Sequence, residues 1–285
     1  MAYGTAKDAG RKEGGFGEME NVLAARPGGG SKTEKAPGHW VLARMGKRVL
    51  RPSGVVMTRR MLARLGVGPA DDVVEFAPGL GVTARLTLSA APASYTAVER
   101  DGAAAAVVRG YLGAGANRRC VQGSAAETGL PTASATVVYG EAMLTMQTDE
   151  TKRRIVREAA RLLRAGGRYA IHEMCLRDGV EGEARRDVER ALAGVVHHGV
   201  RPLAVSEWRA LLEAEGFRVR AVEEAPMALL EPARVIKDEG FRRALRFACN
   251  VLRDAEARRR VFEMRRVFRQ RREQIAAVSI CAVRA

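Results

Sequence analysis

The spacing of hydrophobic residues changes at residue 39, where a polar segment gives way to helical and strand-like patterns. Residues 1–37 are rich in Gly, Lys and Glu and show no apolar period, so we predict a flexible N-terminal arm. Residues 40–45 and 56–65 carry apolar residues at the spacing of amphipathic helices. Because the remaining length suits one hydrophobic core, residues 38–285 are predicted to form a single domain.

Short apolar runs then alternate with helical segments along the rest of the chain. The predicted strands lie at 72–76, 95–99, 119–122, 135–139, 168–172, 217–223 and 277–283. The predicted helices between them lie at 82–89, 102–112, 149–164, 183–197 and 206–215. Gly166 and Gly167 are expected to end the third of these helices, and Ser206 to cap the last. This alternation is typical of a parallel sheet with helices on both faces.

A basic amphipathic stretch precedes the last predicted strand. Two sets of apolar residues recur there at helical spacing, namely Phe241, Leu245, Ala248 and Leu252, and then Val261, Met264 and Phe268. Such spacing predicts helices with one packed side. Residues 232–274 are therefore expected to form a helical insertion, and its place in the chain suits part of a lid over a ligand pocket.

Charge points to a partner without identifying it. The 285 residues carry a formal net charge of +15, and 232–274 alone hold 14 Lys or Arg against six Asp or Glu. This surplus favours an acidic partner, nucleic acid first. The cations are mostly Arg in a chain rich in Ala, Gly and Val, which a GC-rich genome also produces without any selection for binding.

Cysteine spacing and hydropathy narrow the class of protein. The four cysteines, far apart and without a CxxC pair, are predicted to be buried free thiols, and no metal site is expected. No apolar stretch is long enough for a membrane span, and no signal peptide is apparent at the N-terminus. The sequence therefore predicts a soluble, cytoplasmic protein.

One segment joins a strand end, an acidic residue and glycines. Residues 73–81 read ValValGluPheAlaProGlyLeuGly, in which a buried strand carries Glu75 and a glycine turn opens a helix. Glycines let a ligand approach the backbone closely, and a helix N-terminus offers free N–H groups. A dinucleotide-binding loop has related logic but needs three glycines as GxGxxG.

The segment resembles the first motif of class I S-adenosylmethionine-dependent methyltransferases, whose usual form is acidic–x–Gly–x–Gly–x–Gly. Further segments resemble the same family in the same order: ValGluArgAsp at 98–101, GlnGlySerAlaAlaGlu at 122–127, TyrGlyGluAlaMet at 139–143 and LeuLeuArgAlaGlyGlyArgTyrAlaIle at 162–171. The resemblance covers 40–285 and is closest to small-molecule enzymes of the methyltransferase type 11 kind. It departs at Ala77, where the family has glycine, and at Ser124, where the family often has Asp.

The resemblance implies an α/β, Rossmann-like fold with a seven-stranded, mostly parallel sheet, helices on both faces and an antiparallel last strand. It implies S-adenosylmethionine as the cofactor. The cofactor-binding residues that it carries over are Glu75, Ala77, Pro78, Gly79, Gly81, Glu99, Arg100, Gly123, Ser124, Ala125 and Glu141. Glu99 is placed for the ribose hydroxyls, and Ser124 for a weaker contact to adenine. Glu75 either orients the glycine loop or meets the methionine amino group.

Residues around the strand ends are candidates for binding the methyl acceptor. The candidate substrate residues are His39, Trp40, Met143, Met146, Gln147 and His172, with core packing as the alternative for the three that follow the fourth strand. A hydroxyl or amine acceptor needs a base, and the catalytic candidates are Glu141 and His172. Glu141 has two other interpretations, as a partner of the cofactor's amino group or as a carboxylate that orients a substrate cation.

We therefore predict direct displacement at the sulfonium methyl, with a small molecule as acceptor and a protein that supplies position and a dry pocket. Residues 140–143 lack the Asn/Asp-Pro-Pro-aromatic motif of adenine-N6 enzymes. Two alternatives stay open: a nucleic-acid methyltransferase, which the charge supports, and a non-catalytic binding module, which Ala77 and Ser124 support. The sequence leaves the acceptor and the oligomeric state open.

Overall fold

The computed structural model describes residues 36–113 and 115–285. The predicted N-terminal arm therefore lies outside the described residues, apart from Ala36 and Pro37. Ala36 is buried, and its carbonyl accepts a hydrogen bond from Arg260 Nη1 at 2.7 Å. The described chain thus begins as a packed segment just before the first helix.

Helices and strands alternate through most of the chain. The strands are β1 (Asp72–Phe76), β2 (Ser94–Glu99), β3 (Arg118–Gln122), β4 (Ala135–Glu141), β5 (Leu163–Leu176), β6 (Leu203–Ala204), β7 (Phe217–Pro226) and β8 (Ile275–Arg284). The helices are α1 (Gly38–Arg44), α2 (Gly54–Leu65), α3 (Val82–Leu88), α4 (Gly102–Leu112), α5 (Asp149–Leu162), α6 (Gly182–Val196), α7 (Val205–Ala214), α8 (Pro232–Glu239), α9 (Phe241–Arg253) and α10 (Ala255–Gln270).

The strands form one sheet in the order β3-β2-β1-β4-β5-β8-β7. Strands β1 to β5 run parallel, and β8 runs antiparallel to both β5 and β7, as the family resemblance implies. The sheet has eight strands rather than the predicted seven, because β5 continues to Leu176. Its extra length pairs Cys175 and Leu176 with the two-residue strand β6.

Two predicted helix boundaries are wrong. Helix α5 ends at Leu162, and the chain enters β5 at once, so Gly166 and Gly167 lie inside the strand. The N-cap of α7 is Ala204, not Ser206, and its backbone N–H donates to the Glu207 carboxylate at 2.7 Å. A carboxylate in the first helical turn therefore accepts a hydrogen bond from a backbone N–H at the start of α7, where a serine hydroxyl was expected to cap the helix.

Alternate side chains of the strands pack on opposite faces of the sheet, as the period of two requires. Val74 and Val138 face a core beneath α5 and α7, whereas Val73 and Val137 face a core beneath α2, α3 and α4. A third core joins α1 and α6 to the insertion. Because β1, β2 and β4 are parallel neighbours, their carboxyl ends meet at one edge of the sheet.

The predicted helical insertion is confirmed as α8, α9 and α10, but only one of its two apolar stripes packs. Val261, Met264 and Phe268 of α10 are buried. The stripe on α9 is exposed instead, with Phe241, Leu245 and Leu252 exposed by 70, 54 and 55%. Helix α9 packs through a second apolar side, formed by Ala244, Phe247 and Val251.

All four cysteines are free thiols. Cys175 and Cys281 are buried as predicted, whereas Cys120 and Cys249 are half-buried. Within the part of the chain that the structure describes, no helix is both long enough and apolar enough to cross a bilayer.

Candidate functional site

A cavity of about 460 Å³ opens at the carboxyl ends of β1, β2 and β4. This volume lies within the usual range for small-molecule sites, which are found at this edge of open α/β sheets. We call the part formed by polar and charged groups and the glycine loop at the strand ends the strand-end wall. We call the part formed mainly by Met, Leu, Val and Phe side chains the apolar wall.

Most of the predicted site residues line this cavity. From the predicted cofactor set, those that line it are Glu75, Ala77, Pro78, Gly79, Glu99, Arg100, Gly123, Ser124, Ala125 and Glu141. From the predicted substrate set, those that line it are His39, Trp40, Met143, Met146 and Gln147. Gly81 and His172 do not line it. Residues from five separate segments of sequence are thus brought together at one edge of the sheet.

In the glycine loop that follows β1, Gly81 packs against a side chain and does not line the cavity. A Cβ at Gly81, where φ is 72°, would approach the Tyr111 ring to 2.4 Å, so this glycine makes room for Tyr111 packing. A Cβ at Gly79, where φ is 54°, would meet no described residue within 4 Å. Ala77 also has a positive φ of 49°, a conformation that costs a residue with a Cβ free energy. Ala77 therefore holds a backbone conformation that glycine adopts without this cost.

Glu75, the residue before the last of β1, lies inside a network of hydroxyl groups. Its Oε2 accepts hydrogen bonds from Tyr95 and, at 2.7 Å, from Tyr139. Burial raises the pKa of Glu75 from 4.5 to about 7, although both tyrosine hydrogen bonds act to lower it. Glu75 therefore sits near its titration point at neutral pH.

Glu141 ends β4 in the opposite electrostatic setting. Its Oε1 accepts hydrogen bonds from Thr58 at 2.6 Å and from His172 Nδ1 at 2.7 Å, and lies 3.3 Å from Arg51 Nε. Its other oxygen accepts from Thr83. Burial alone would raise the pKa of Glu141, but Arg51 and the hydrogen bonds together lower it to about 2. Glu141 is thus a fixed anion and a poor proton acceptor.

His172 lies beneath the cavity rather than in its wall, which corrects its predicted place in the pocket. The side chain is fully buried. Its Nδ1 bonds Glu141, and its Nε2 lies 2.7 Å from the Pro52 carbonyl oxygen. Because both ring nitrogens already have protein partners, His172 has no free nitrogen for a substrate. It orients Glu141 and fastens the segment before α2 to the sheet.

Glu99 ends β2, and Ser124 lies in the loop that follows β3. Glu99 Oε1 accepts from the Asp101 backbone N–H at 3.1 Å, and burial raises the pKa of Glu99. Ser124 Oγ accepts from the Ala126 backbone N–H at 3.1 Å, which holds a tight turn. Both residues line the cavity beside Gly123.

Arg51 and Glu173 are among the site residues that were not foreseen. Arg51 lines the cavity, donates from Nε to Thr58 at 2.6 Å, and has a buried Nη2 without a partner in the described structure. Glu173 accepts backbone hydrogen bonds from Met143, Leu144 and Thr145, and so shapes the loop after β4. The only sequence signal for Glu173 was its position directly after His172, the last residue of a predicted strand.

The insertion holds the segment that carries Arg51. Glu239, at the end of α8, accepts from the backbone N–H groups of Arg48 and Val49 at 2.7 and 2.8 Å. Asp238 accepts from the Val55 N–H at 3.0 Å. Lys47 is fully buried 4.0 Å from both of these carboxylates, and burial lowers its pKa. These contacts fix residues 47–55 between the insertion and the sheet.

The apolar wall is rich in methionine. Its side chains are Leu42 of α1, Met143 and Met146 of the loop after β4, Met174 of β5, Val196 of α6, Val200 of the loop after α6, Met227 and Leu229 of the loop after β7, and Met264 and Phe268 of α10. His39, Trp40 and His198 add rings to the same cavity. Burial, and then His198, lower the pKa of His39 to about 4, and its Nδ1 has no partner in the described structure. His39 is therefore neutral at physiological pH.

Comparisons with known proteins agree with this arrangement. Residues 73–167 match a family model described as a methyltransferase domain. An uncharacterised protein of Haemophilus influenzae is 27% identical over 248 residues, which are 86% of this chain and 97% of that protein.

Solved structures share the fold. A geranyl diphosphate C-methyltransferase from Streptomyces coelicolor A3(2), crystallised with S-adenosyl-L-homocysteine and geranyl diphosphate, superposes with a TM-score of 0.60 at 15% identity, covering 81% of this chain and 79% of that one. The YcgJ protein of Bacillus subtilis superposes with a TM-score of 0.58 at 18% identity, covering 81% and 98%. At these identities the likeness is one of fold.

Proposed function

We propose that this chain, a class I S-adenosylmethionine-dependent methyltransferase, transfers a methyl group to an apolar small molecule bound in the cavity. The observation that carries the proposal is the contrast between the two walls. Charged and hydrogen-bonded groups lie at the strand ends, whereas Met, Leu, Val and Phe side chains form the apolar wall. A strongly polar acceptor would lose hydration against that surface without gaining hydrogen bonds.

The strand-end wall fits the cofactor group by group. Arg51 offers a buried guanidinium nitrogen that has no partner among the described residues, which suits the methionine carboxylate. Glu75 receives both tyrosine hydrogen bonds on Oε2, so Oε1 suits the methionine amino group. Glu99 suits the ribose hydroxyls, and residues 123–125 suit adenine. Open space above Gly79 leaves room for the sulfur chain.

The cofactor supplies an activated methyl group, and the residues of this chain supply position. Glu141, with a pKa of about 2, takes no proton from an acceptor at neutral pH. We assign to Glu141 the role of an anion that holds Arg51, Thr58 and Thr83 in place. His39 Nδ1 suits a hydrogen bond that orients the acceptor. The acceptor is then a carbon or sulfur nucleophile, or a hydroxyl that loses its proton late.

Titration calorimetry with S-adenosylmethionine and S-adenosylhomocysteine tests the cofactor half of the proposal. We expect micromolar binding by the wild-type protein, and at least about tenfold weaker binding by Glu99→Ala, because a carboxylate that accepts two hydroxyl hydrogen bonds is lost. Glu127→Ala is the matched control, since its carboxylate is 84% exposed and pairs with Arg154 at the surface. Absence of binding by the wild-type protein would remove the enzyme from consideration and leave a non-catalytic module.

Transfer of a labelled methyl group to a panel of small molecules tests the acceptor half. We expect product with apolar acceptors, and Phe268→Ala to raise the KM for the acceptor at least about tenfold while cofactor affinity stays unchanged. Phe262→Ala on the same helix is the control, because Phe262 is exposed and does not line the cavity. Transfer to RNA, with none to apolar acceptors, would contradict the proposed acceptor and leave the cofactor site intact.

A further inference from the structure

The insertion, α8 to α10, carries exposed large apolar side chains. Within residues 36–113 and 115–285, the large apolar side chains that are exposed are Ile236, Phe241, Leu245, Leu252 and Phe262. All of them lie on α8, α9 or α10. Isolated exposed apolar residues are ordinary, but a concentration on one small unit marks an interaction surface.

Around helix α9, the exposed apolar residues, the buried apolar residues and the basic residues lie on three adjacent sides. At 3.6 residues per turn, Phe241, Leu245, Ala248 and Leu252 fall within an arc of about 60°. The buried Ala244, Phe247 and Val251 lie on one side of that arc. Exposed arginines, Arg242 and Arg253 among them, lie on the other. Packing to the protein therefore leaves one apolar stripe and one basic stripe facing outward.

We propose that this outer face of α9 docks on an anionic lipid bilayer. Phenylalanine and leucine side chains beside arginines are the side chains of interfacial helices, which lie in the plane of the headgroups. Residues 232–274 carry 14 Lys or Arg against six Asp or Glu, which complements the negative charge of such a surface.

The other occupants fit this face less well. A second copy would bring two surfaces of the same positive charge together, which opposes association. A nucleic acid would suit the arginines but would leave Phe241, Leu245 and Leu252 against phosphates and water. The bilayer is the partner that satisfies both stripes of α9 at once.

Docking would also bring the apolar wall of the cavity close to the lipid. Met264 and Phe268, which line the cavity, belong to α10, the helix that follows α9 and packs on it. A bilayer-dissolved acceptor would then reach the cavity directly. This last link rests on the proposed function, whereas the docking itself does not.

Co-sedimentation of the full-length protein with lipid vesicles tests the proposal. We expect at least about tenfold more protein on vesicles of phosphatidylcholine mixed with phosphatidylglycerol than on vesicles of phosphatidylcholine alone. The triple variant Phe241→Ser, Leu245→Ser, Leu252→Ser is expected to lose most binding to both. The pair Arg242→Glu, Arg253→Glu is expected to lose the preference for phosphatidylglycerol.

A matched charge control separates local docking from general attraction. Arg118→Glu with Arg220→Glu makes the same change in net charge at exposed sites on β3 and β7, and should keep vesicle binding. Cofactor affinity and melting temperature should be unchanged in all three variants, because the substituted residues are exposed. That check shows that lost binding is not lost folding.

Several results would overturn the proposal. One is a triple variant that sediments with vesicles as much as the wild-type protein does. Another is a wild-type protein that shows no preference for anionic vesicles. A dimer that forms without lipid and disappears in the triple variant would assign the face to a second copy. An RNA gel shift that Arg242→Glu, Arg253→Glu abolishes, without vesicle binding, would assign it to nucleic acid. None of these results depends on identifying a methyl acceptor.

Discussion

The ends of β1 and β4 lie side by side in the sheet and place a glutamate in the same cavity, yet the two carboxylates behave differently. Glu75 meets two neutral hydroxyls and has its pKa raised by burial to about 7. Glu141 is also largely enclosed, but it meets Arg51, His172 and Thr58, which lower its pKa to about 2. The neighbours, and not the burial, decide which carboxylate keeps its charge.

This difference separates two tasks in one site. A carboxylate that titrates near neutral pH gains most when a cationic ligand arrives, because the ligand stabilises its charged form. A carboxylate that is always charged gains little from a ligand and serves to hold other groups. Sites in which environment separates the pKa values of two acids commonly divide their roles in this way. The predictions below test that division, from the largest expected effect to the smallest.

Arg51→Met should have the largest effect. The ion pair is buried, with side-chain exposures of 9 and 7%, so removing the cation leaves Glu141 charged without its main partner. We expect the free energy of unfolding at pH 7, measured with urea, to fall by about 3 kcal/mol. Cofactor affinity should fall as well, because the same guanidinium is proposed to meet the methionine carboxylate.

The pH dependence of stability gives the sign of this effect. The folded pKa of Glu141 lies below its ordinary 4.5, so the wild-type protein gains stability from this group above pH 4.5 and loses it towards pH 2. That slope should flatten in Arg51→Met. Arg60→Met is the control, since Arg60 is 63% exposed and its pair with Glu223 should contribute less than about 1 kcal/mol. Equal losses in both variants would contradict the special role of Arg51.

The pH dependence of cofactor binding should show the second effect, at Glu75. Its folded pKa lies above 4.5, so the cofactor-free protein favours the neutral acid and loses stability as pH rises from 4.5 to about 7. Cofactor binding to the ionised form should run in the opposite direction. We expect affinity to rise about fivefold to tenfold between pH 6 and pH 7.5, which follows from the ionised fraction of a group with a pKa near 7.

Glu75→Gln is the control for that measurement. Glutamine keeps the size and the tyrosine hydrogen bonds but has no titration, so only the titration of the cofactor's own amino group should remain. The difference between the two pH profiles isolates Glu75. Identical profiles would assign Glu75 to the alternative role of orienting the glycine loop.

The strand ends were predictable because their signals are local. A buried apolar run that closes with an acidic residue indicates where a parallel strand reaches the sheet edge, and this placed Glu75, Glu99 and Glu141 at the cavity. Arg51 was not predictable in the same way. It lies in residues 47–55, which have no helical or strand period, and Asp238 and Glu239 hold this segment from nearly 200 residues away. Only the tertiary structure joins them.

The two stripes of the insertion teach the same lesson in another form. The periodicity of α9 and of α10 predicts a packed side for each, and on α10 this is confirmed at Met264. On α9, two apolar sides compete, and Phe247 packs while Phe241 does not. Periodicity identifies an apolar side but cannot choose between two, because the choice depends on which side the sheet and its neighbours leave room for.

Ala77→Gly should give the smallest effect and tests the backbone of the same two strand ends. Ala77 after β1 and Ala142 after β4 have φ values of 49° and 52°, where glycine carries no Cβ penalty. Relief of that penalty, less the extra entropy of glycine in the unfolded chain, should raise the free energy of unfolding by about 0.5 kcal/mol at either site. Only Ala77→Gly should also strengthen cofactor binding, because the proposed cofactor passes over the loop after β1. A similar gain in affinity from Ala142→Gly would show that the cofactor contacts both turns, and the division of tasks between Glu75 and Glu141 would then have to be redrawn.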